Sequence, residues 1–255
     1  MFLITILPVS NSQEHTKYLG CNRSFKCGGL NSNISYPFWA DGDVVIRPRF
    51  CGGRDEFKLN CETQTPSITI GSEEFHVFDI NMNNYTINMI KIWLLDELCD
   101  PYSTNYTLNT TFFDYVQNLS NITLFYNCPH DVSFVNNFTC PTTYANQGQV
   151  FCANDGQIQR YPELHRCKNH SQIQAIDPLK DDDAGILQLK NTLGNGFEVK
   201  YKVDDAENCK ACRDSNGACG RSDSDGYKFS CHCQDGSESS SKCSSMSLLS
   251  SHLFT

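Results

Sequence analysis

The chain has 255 residues, 39% of them hydrophobic, and a formal net charge of −9. That length suits one large or two small domains. The acidic balance and the lack of any basic tract exclude a nucleic-acid grip, and no apolar run reaches the roughly 18 residues that a membrane-spanning helix needs.

Fifteen cysteines, about 6% of the chain, are high for a cytosolic protein and normal for secreted modules. Nine Asn-X-Ser/Thr acceptors, at Asn22, Asn33, Asn84, Asn105, Asn109, Asn118, Asn121, Asn137 and Asn169, point the same way. The cysteines are therefore read as disulfides, in an oxidising compartment. Fourteen are expected to pair: Cys21, Cys27, Cys51, Cys61, Cys99, Cys128, Cys140, Cys152, Cys167, Cys209, Cys212, Cys219, Cys231 and Cys233. Cys243 lies in a Ser-rich ending and is taken as the unpaired thiol; the connectivity is left open.

In chain order, Phe2 to Val9 is a short apolar run, and Ser10 and Ser12 give a small-X-small cleavage pattern. Residues 1–12 read as a truncated signal peptide. The stretch from Cys27-Gly28-Gly29-Leu30 to Ser35-Tyr36-Pro37-Phe38-Trp39 is loop-rich, and Cys51-Gly52-Gly53 closes it. Pro37 fixes its own φ and pushes Tyr36 toward an extended conformation. Tyr36, Phe38 and Trp39 then sit on a stiff segment, either as core, the commoner use of aromatics, or as stacking surfaces. Val44 to Ile46 suits a short strand ended by Pro48. Arg47, Arg49, Arg54 and Lys58 form the densest basic group of the first half, with Asp55 and Glu56 among them. Guanidinium forks suit carboxylates; a solvated mixed-charge surface is the plainer reading.

From Glu56 onward the pattern is β. Phe57, Leu59 and Cys61 alternate with Lys58 and Asn60, and Phe75, Val77 and Asp79 alternate with His76, Phe78 and Ile80. Tyr85 to Leu95 is apolar on both faces, as in a buried strand. Asn81 to Asn84 reads as the hairpin turn between them. Ile122, Leu124 and Tyr126 alternate again. The sequons at Asn105, Asn109, Asn118 and Asn121 would cover one face if used, leaving Tyr36 to Lys58 as the open one. Residues 129–139 read as a connector.

A second cysteine set opens at Cys140. Asp181-Asp182-Asp183 precedes a helical pattern, Ala184 to Leu193, which Gly194 and Gly196 end. Phe197, Val199 and Tyr201 mark a strand. Cys209, Cys212, Cys219, Cys231 and Cys233 form the last set, and residues 237–255 read as a disordered tail. The fold expected is mainly β, small and disulfide-rich, with two cysteine-stapled modules, the second with one short helix.

Catalytic and metal chemistry find little support. Cys209, Cys212, Cys231 and Cys233 with His232 make a poor zinc set, because the Cys-X-Cys spacing and the oxidising route disfavour it. Asp223 to Gly226 imitates a calcium loop, but Arg221 and His232 stand where oxygen ligands belong. No nucleophile elbow, zinc-protease helix, phosphate loop or kinase motif set occurs, and no carboxylate pair stands out. No cofactor or metal is expected.

Cys27-Gly28-Gly29-Leu30, Ile34-Ser35-Tyr36-Pro37-Phe38-Trp39, Phe50-Cys51-Gly52, Phe57-Lys58-Leu59-Asn60-Cys61, Val77-Phe78-Asp79-Ile80-Asn81 and Leu124-Phe125-Tyr126-Asn127-Cys128 occur in one order. Together they resemble the galacturonan-binding domain of plant wall-associated receptor kinases, close to the leaf-rust-resistance type, over residues 21–128. Cys209-X2-Cys212-X6-Cys219-Gly220 and Phe229-X-Cys231-X-Cys233-X2-Gly236, with Leu193 and Gly196 to Val199, resemble the C-terminal domain associated with those kinases, over 140–236. The resemblance implies a non-enzymatic extracellular module pair that binds pectin or galacturonan, with Tyr36, Phe38 and Trp39 stacking on sugar and Arg47, Arg49, Arg54 and Lys58 meeting carboxylates. Calcium bridging is one way for an acidic chain to hold an anionic polymer. A protein or peptide partner, such as a co-receptor, is the alternative. In the resembling receptors a membrane helix and a kinase follow, so the expected location is the cell wall or apoplast, or the outer face of the plasma membrane.

Overall fold

The computed structural model describes residues 11–41, 46–91, 98–99, 111–116, 120–134, 136–140, 148–175, 196–222 and 228–244. The chain forms two compact units. The first is discontinuous, built from Met1–Gln64 and Val203–Thr255, and the second is the segment between, Thr65–Lys202. This differs from the linear division at residues 128–140 read from the sequence.

The described residues begin with helix α1 (Asn11–Cys21), and a two-residue strand β1 (Leu59–Asn60) follows. The second unit then runs β2 (Ser67–Ile70), β3 (Glu73–Asn81), β4 (Thr86–Lys91), β5 (Phe113–Tyr115), β6 (Ser120–Tyr126), β7 (Asn137–Thr139), β8 (Gln149–Asn154), helix α2 (Asp155–Arg160), β9 (Asn169–Ala175) and β10 (Phe197–Tyr201). The first unit resumes with helix α3 (Ala206–Asp214) and strands β11 (Ala218–Arg221), β12 (Phe229–His232) and β13 (Glu238–Ser239).

In the second unit, β2, β3, β4, β10 and β5 lie side by side and pair antiparallel. The alternation of apolar residues sets the register: Val77 faces Met89, and Val199 faces Ile87. All four are buried. The expected turn is present, with Asn81 accepting from the backbone N–H groups of Asn83 and Asn84, both at 3.0 Å. A bulge between Val77 and Asp79 leaves Phe78 43% exposed.

The other sheet runs β7-β8-β6-β9. Strand β6 is apolar on both sides because each face has its own core. Ile122, Leu124 and Tyr126 pack in one cluster, and Phe125 packs in another with Phe134, Phe151 and Leu164. Helix α2 begins with a capping box: Asn154 Oδ1 accepts from Gln157 N at 2.9 Å, and Gln157 Oε1 accepts from Asn154 N at 3.0 Å.

In the first unit, β11, β12 and β13 form a small sheet. Its core is largely sulfur: Cys209, Cys212, Cys219, Cys231 and Cys233, with Tyr36 and Phe229. Helix α1 contributes Tyr18 to a neighbouring cluster with Cys21, Cys51 and Ala218. Disulfides join Cys21–Cys51, Cys27–Cys61, Cys209–Cys219, Cys212–Cys231 and Cys233–Cys243 here, and Cys99–Cys140 and Cys128–Cys167 in the second unit.

Two expectations are corrected. Cys243 is bonded to Cys233, and Cys152, expected in a disulfide, is the free cysteine, buried mid-strand in β8. Residues 237–244 are not a disordered tail: β13 and the Cys233–Cys243 bond hold them. Within 140–236 the described residues hold two α-helices, the six-residue α2 and the nine-residue α3. The helix read at 184–193, Val44 and Val45 of the short strand, residues 1–10, the acceptors Asn105, Asn109 and Asn118, and Asp223 to Gly226 lie outside the described residues. Asn11 and Ser12 already belong to α1. No described helix is long and apolar enough to cross a membrane.

Candidate functional site

The aromatic stretch and the basic group that follows it come together in the first unit, though not as a bare stacking platform. Tyr36, Phe38 and Trp39 are 7%, 0% and 3% exposed. Their side chains are core, so as sugar-stacking faces they are corrected. Tyr36 meets Phe229 edge-on, with ring centroids 5.9 Å apart, and Phe38 meets Phe57 at 5.7 Å. Burial, with Asp205 and Asp204 nearby, pushes the Tyr36 hydroxyl far above the usual phenol range. The Tyr36–Pro37 peptide is cis.

Trp39 is fixed on all sides. Its backbone N–H donates to Phe57 O at 3.3 Å, its carbonyl accepts from Leu59 N at 2.8 Å, and its indole N–H donates to Arg54 O at 3.2 Å. The Cys51-Gly52-Gly53 motif is explained by contact. A Cβ on Gly52 would lie 2.2 Å from Trp39 Cδ1, and one on Gly53 would lie 2.8 Å from Pro37 Cβ. Only glycine lets that loop pass so close.

Three cations surround the indole: Lys58 Nζ at 5.3 Å, Arg221 Cζ at 5.8 Å and Arg49 Cζ at 5.9 Å from the ring centroid. Arg221 is buried and also donates to Gly52 O at 3.4 Å. Burial is the main cause that lowers its pKa. Arg49 and Lys58 are about half-exposed, and Arg54, also half-exposed, stands beside them on the same loop. Each has a carboxylate partner: Arg49 with Asp55 at 2.9 Å, Arg54 with Asp204 at 2.7 Å, Lys58 with Asp41 at 2.6 Å, and Arg221 with Asp55 at 3.5 Å.

Arg47, grouped with these cations in the sequence, is structural instead. It is 2% exposed and donates to Arg23 O, to Cys21 O at 3.1 Å and to Cys51 O at 3.1 Å, with its guanidinium over Phe25. Burial pushes its pKa down to about 10, so it stays charged at any pH the protein meets. It is corrected as a ligand contact.

A narrow cleft beside Trp39 is walled by Tyr36, Gly53, Arg54, Asp204, Arg221 and Phe229 among others. It has room for about one water and none for a sugar ring. Arg221 and Asp204 were missed because they lie far along the chain; the cysteine framework around Cys219-Gly220 was the one signal that tied that end to a fold. The sulfurs of Cys231, Cys233 and Cys243 lie within 4.8 Å of one another. All three are in disulfides, so none is a thiolate able to take zinc.

Comparison with known families matches residues 21–91 to the wall-associated receptor kinase galacturonan-binding model and residues 138–236 to the wall-associated receptor kinase C-terminal model. The chain is thus similar to wall-associated receptor kinases over two separate segments. Among curated relatives, it is similar to three leaf rust 10 disease-resistance locus receptor-like protein kinase-like proteins of Arabidopsis thaliana. These are number 2.8 (25% identical), number 1.4 (27%) and number 2.3 (28%), over 84%, 83% and 80% of this chain. The chain spans 22%, 30% and 31% of their lengths. No solved structure matches. Both matched families belong to the extracellular part of receptor kinases, so this chain is an extracellular receptor ectodomain, and no kinase family is matched in it. Both matched segments contribute to both compact units.

Proposed function

We propose that this chain binds cell-wall polysaccharide of the galacturonan or pectin type, as the sensing part of a receptor-like kinase. The observation that carries the reading is the group of half-exposed cations, Arg49, Arg54 and Lys58, set on a buried, rigid Trp39 inside the segment matched to a galacturonan-binding family. Guanidinium and ammonium groups at an exposed rim meet a chain of uronate carboxylates, and the buried aromatics keep the rim's shape. The acidic chain makes this a local grip that weakens with salt.

Titration of the purified ectodomain with oligogalacturonides of defined length, at several salt and calcium levels, tests it. Binding that weakens with salt and falls at least fivefold in the Arg49→Ala/Lys58→Ala double variant is expected. Absence of binding at every ionic strength and calcium level overturns it. Persistence of binding in a chelator separates direct contact from calcium bridging.

A second reading, a module for a protein or peptide partner such as a co-receptor, has one observation in its favour: each rim cation already faces an aspartate, and the chain is net acidic.

A further inference from the structure

The rim does not offer empty cationic seats. Asp55 sits on Arg49 and reaches Arg221, Asp204 sits on Arg54, and Asp41 sits on Lys58. All three aspartates are about half-exposed, as are Arg49, Arg54 and Lys58. Exposed pairs of this kind stabilise a fold only slightly, so they contribute little to holding the loop in place. Their chemistry is that of the proposed ligand: a carboxylate on a cation at hydrogen-bond distance.

We propose that Asp41, Asp55 and Asp204 are internal stand-ins for the ligand's carboxylates, occupying the cation rim in the free protein and being displaced one for one when an acidic polymer binds. The inference rests on the reading above and deepens it: it names the residues that set affinity. Because the competitors are tethered beside their cations, they act at high effective concentration. An isolated monovalent acid therefore competes poorly. A ligand presenting several carboxylates at once displaces several aspartates in a single event. Arg221 does not need to move. It is buried, fixed on Gly52 O, and shares Asp55 with Arg49, so freeing Asp55 raises the positive potential at two cations together.

The consequence runs against the usual effect of deleting an ion pair at a binding site. Removing the acid partner strengthens binding. Asp55→Asn and Asp204→Asn are each expected to tighten the affinity for an oligogalacturonide about two- to fivefold at low salt, the worth of an exposed pair. The gain shrinks as salt is raised, and melting temperatures hold within a few degrees of the parent. Asp131→Asn is the control. Asp131 pairs with Arg166 in the second unit, at 2.8 Å through both carboxylate oxygens, and removes the same unit of charge.

The assay is calorimetric or fluorescence titration of the full chain with an oligogalacturonide, read for parent, both variants and the control. Tighter binding in Asp55→Asn and Asp204→Asn, with Asp131→Asn unchanged, supports the inference. Equal or weaker binding in the two variants, with a parent that binds, overturns it and leaves the polysaccharide reading intact. An equal gain in Asp131→Asn overturns it in favour of a net-charge effect. If parent and variants all fail to bind, the polysaccharide reading falls and takes this inference with it.

Discussion

Gly52 shows how little of the site a residue list conveys. The motif Cys51-Gly52-Gly53 is visible in the sequence, but its purpose is steric. Backbone passes where a side chain would overlap the indole of Trp39, at 2.2 Å from Cδ1. Gly52→Ala is expected to destabilise the first unit by about 1–3 kcal/mol through overpacking, with a red shift in tryptophan emission as Trp39 is forced from its slot. An unchanged melting temperature and spectrum would show that the loop absorbs the methyl. The same residue-scale view explains the aromatics. Tyr36, Phe38 and Trp39 carry no pattern that separates a ring packed inward from one held out to solvent. That distinction comes from Phe57, Arg221 and Phe229, two of which are more than half the chain away.

The elements that were legible are those whose physics is local. Strands β3, β4, β6 and β10 follow from alternation or from apolar runs, and the β3–β4 turn follows from its asparagines. The odd cysteine was legible by parity, but its identity was not. Composition around Cys243 resembles a loose tail, while Cys152 sits between Phe151 and Ala153, where a thiol serves as a small apolar group. Burial pushes the Cys152 thiol up to about 12, so it is protonated and unreactive in the native protein. Thiol titration is expected to find none in the folded parent and one per chain after denaturation without reductant. In Cys243→Ser the released Cys233 adds a second, and the loss of a short covalent loop lowers stability by about 2–3 kcal/mol. More than one thiol in the denatured parent would contradict this pairing.

For the whole molecule, the decisive fact is that the first unit is made from both ends of the described chain. The resemblance reads in a line, with one module before the other, and local pattern gives no means of seeing that Val203 to Cys243 returns to complete the unit that Cys21 to Cys61 begins. A fragment that stops at Lys202 retains Trp39 but lacks Asp204, Arg221 and Phe229, three walls of the cleft. It is expected to expose Tyr36 and Trp39, to aggregate, and to bind no oligogalacturonide, read by emission spectrum and size-exclusion chromatography. A well-folded fragment with native emission would show that the first 64 residues stand alone.

That closure also orders events on the ribosome. About 140 residues separate Gln64 from Val203, and at about 5–20 residues per second their synthesis takes roughly 7 to 30 s. Throughout that interval Cys21, Cys27, Cys51 and Cys61 have emerged while the surface meant to cover Tyr36 has not been translated. Lumenal chaperones and disulfide isomerases therefore meet this protein with its aromatic loop uncovered, and the yield of folded protein, more than equilibrium stability, is where substitutions in the last forty residues will first be felt.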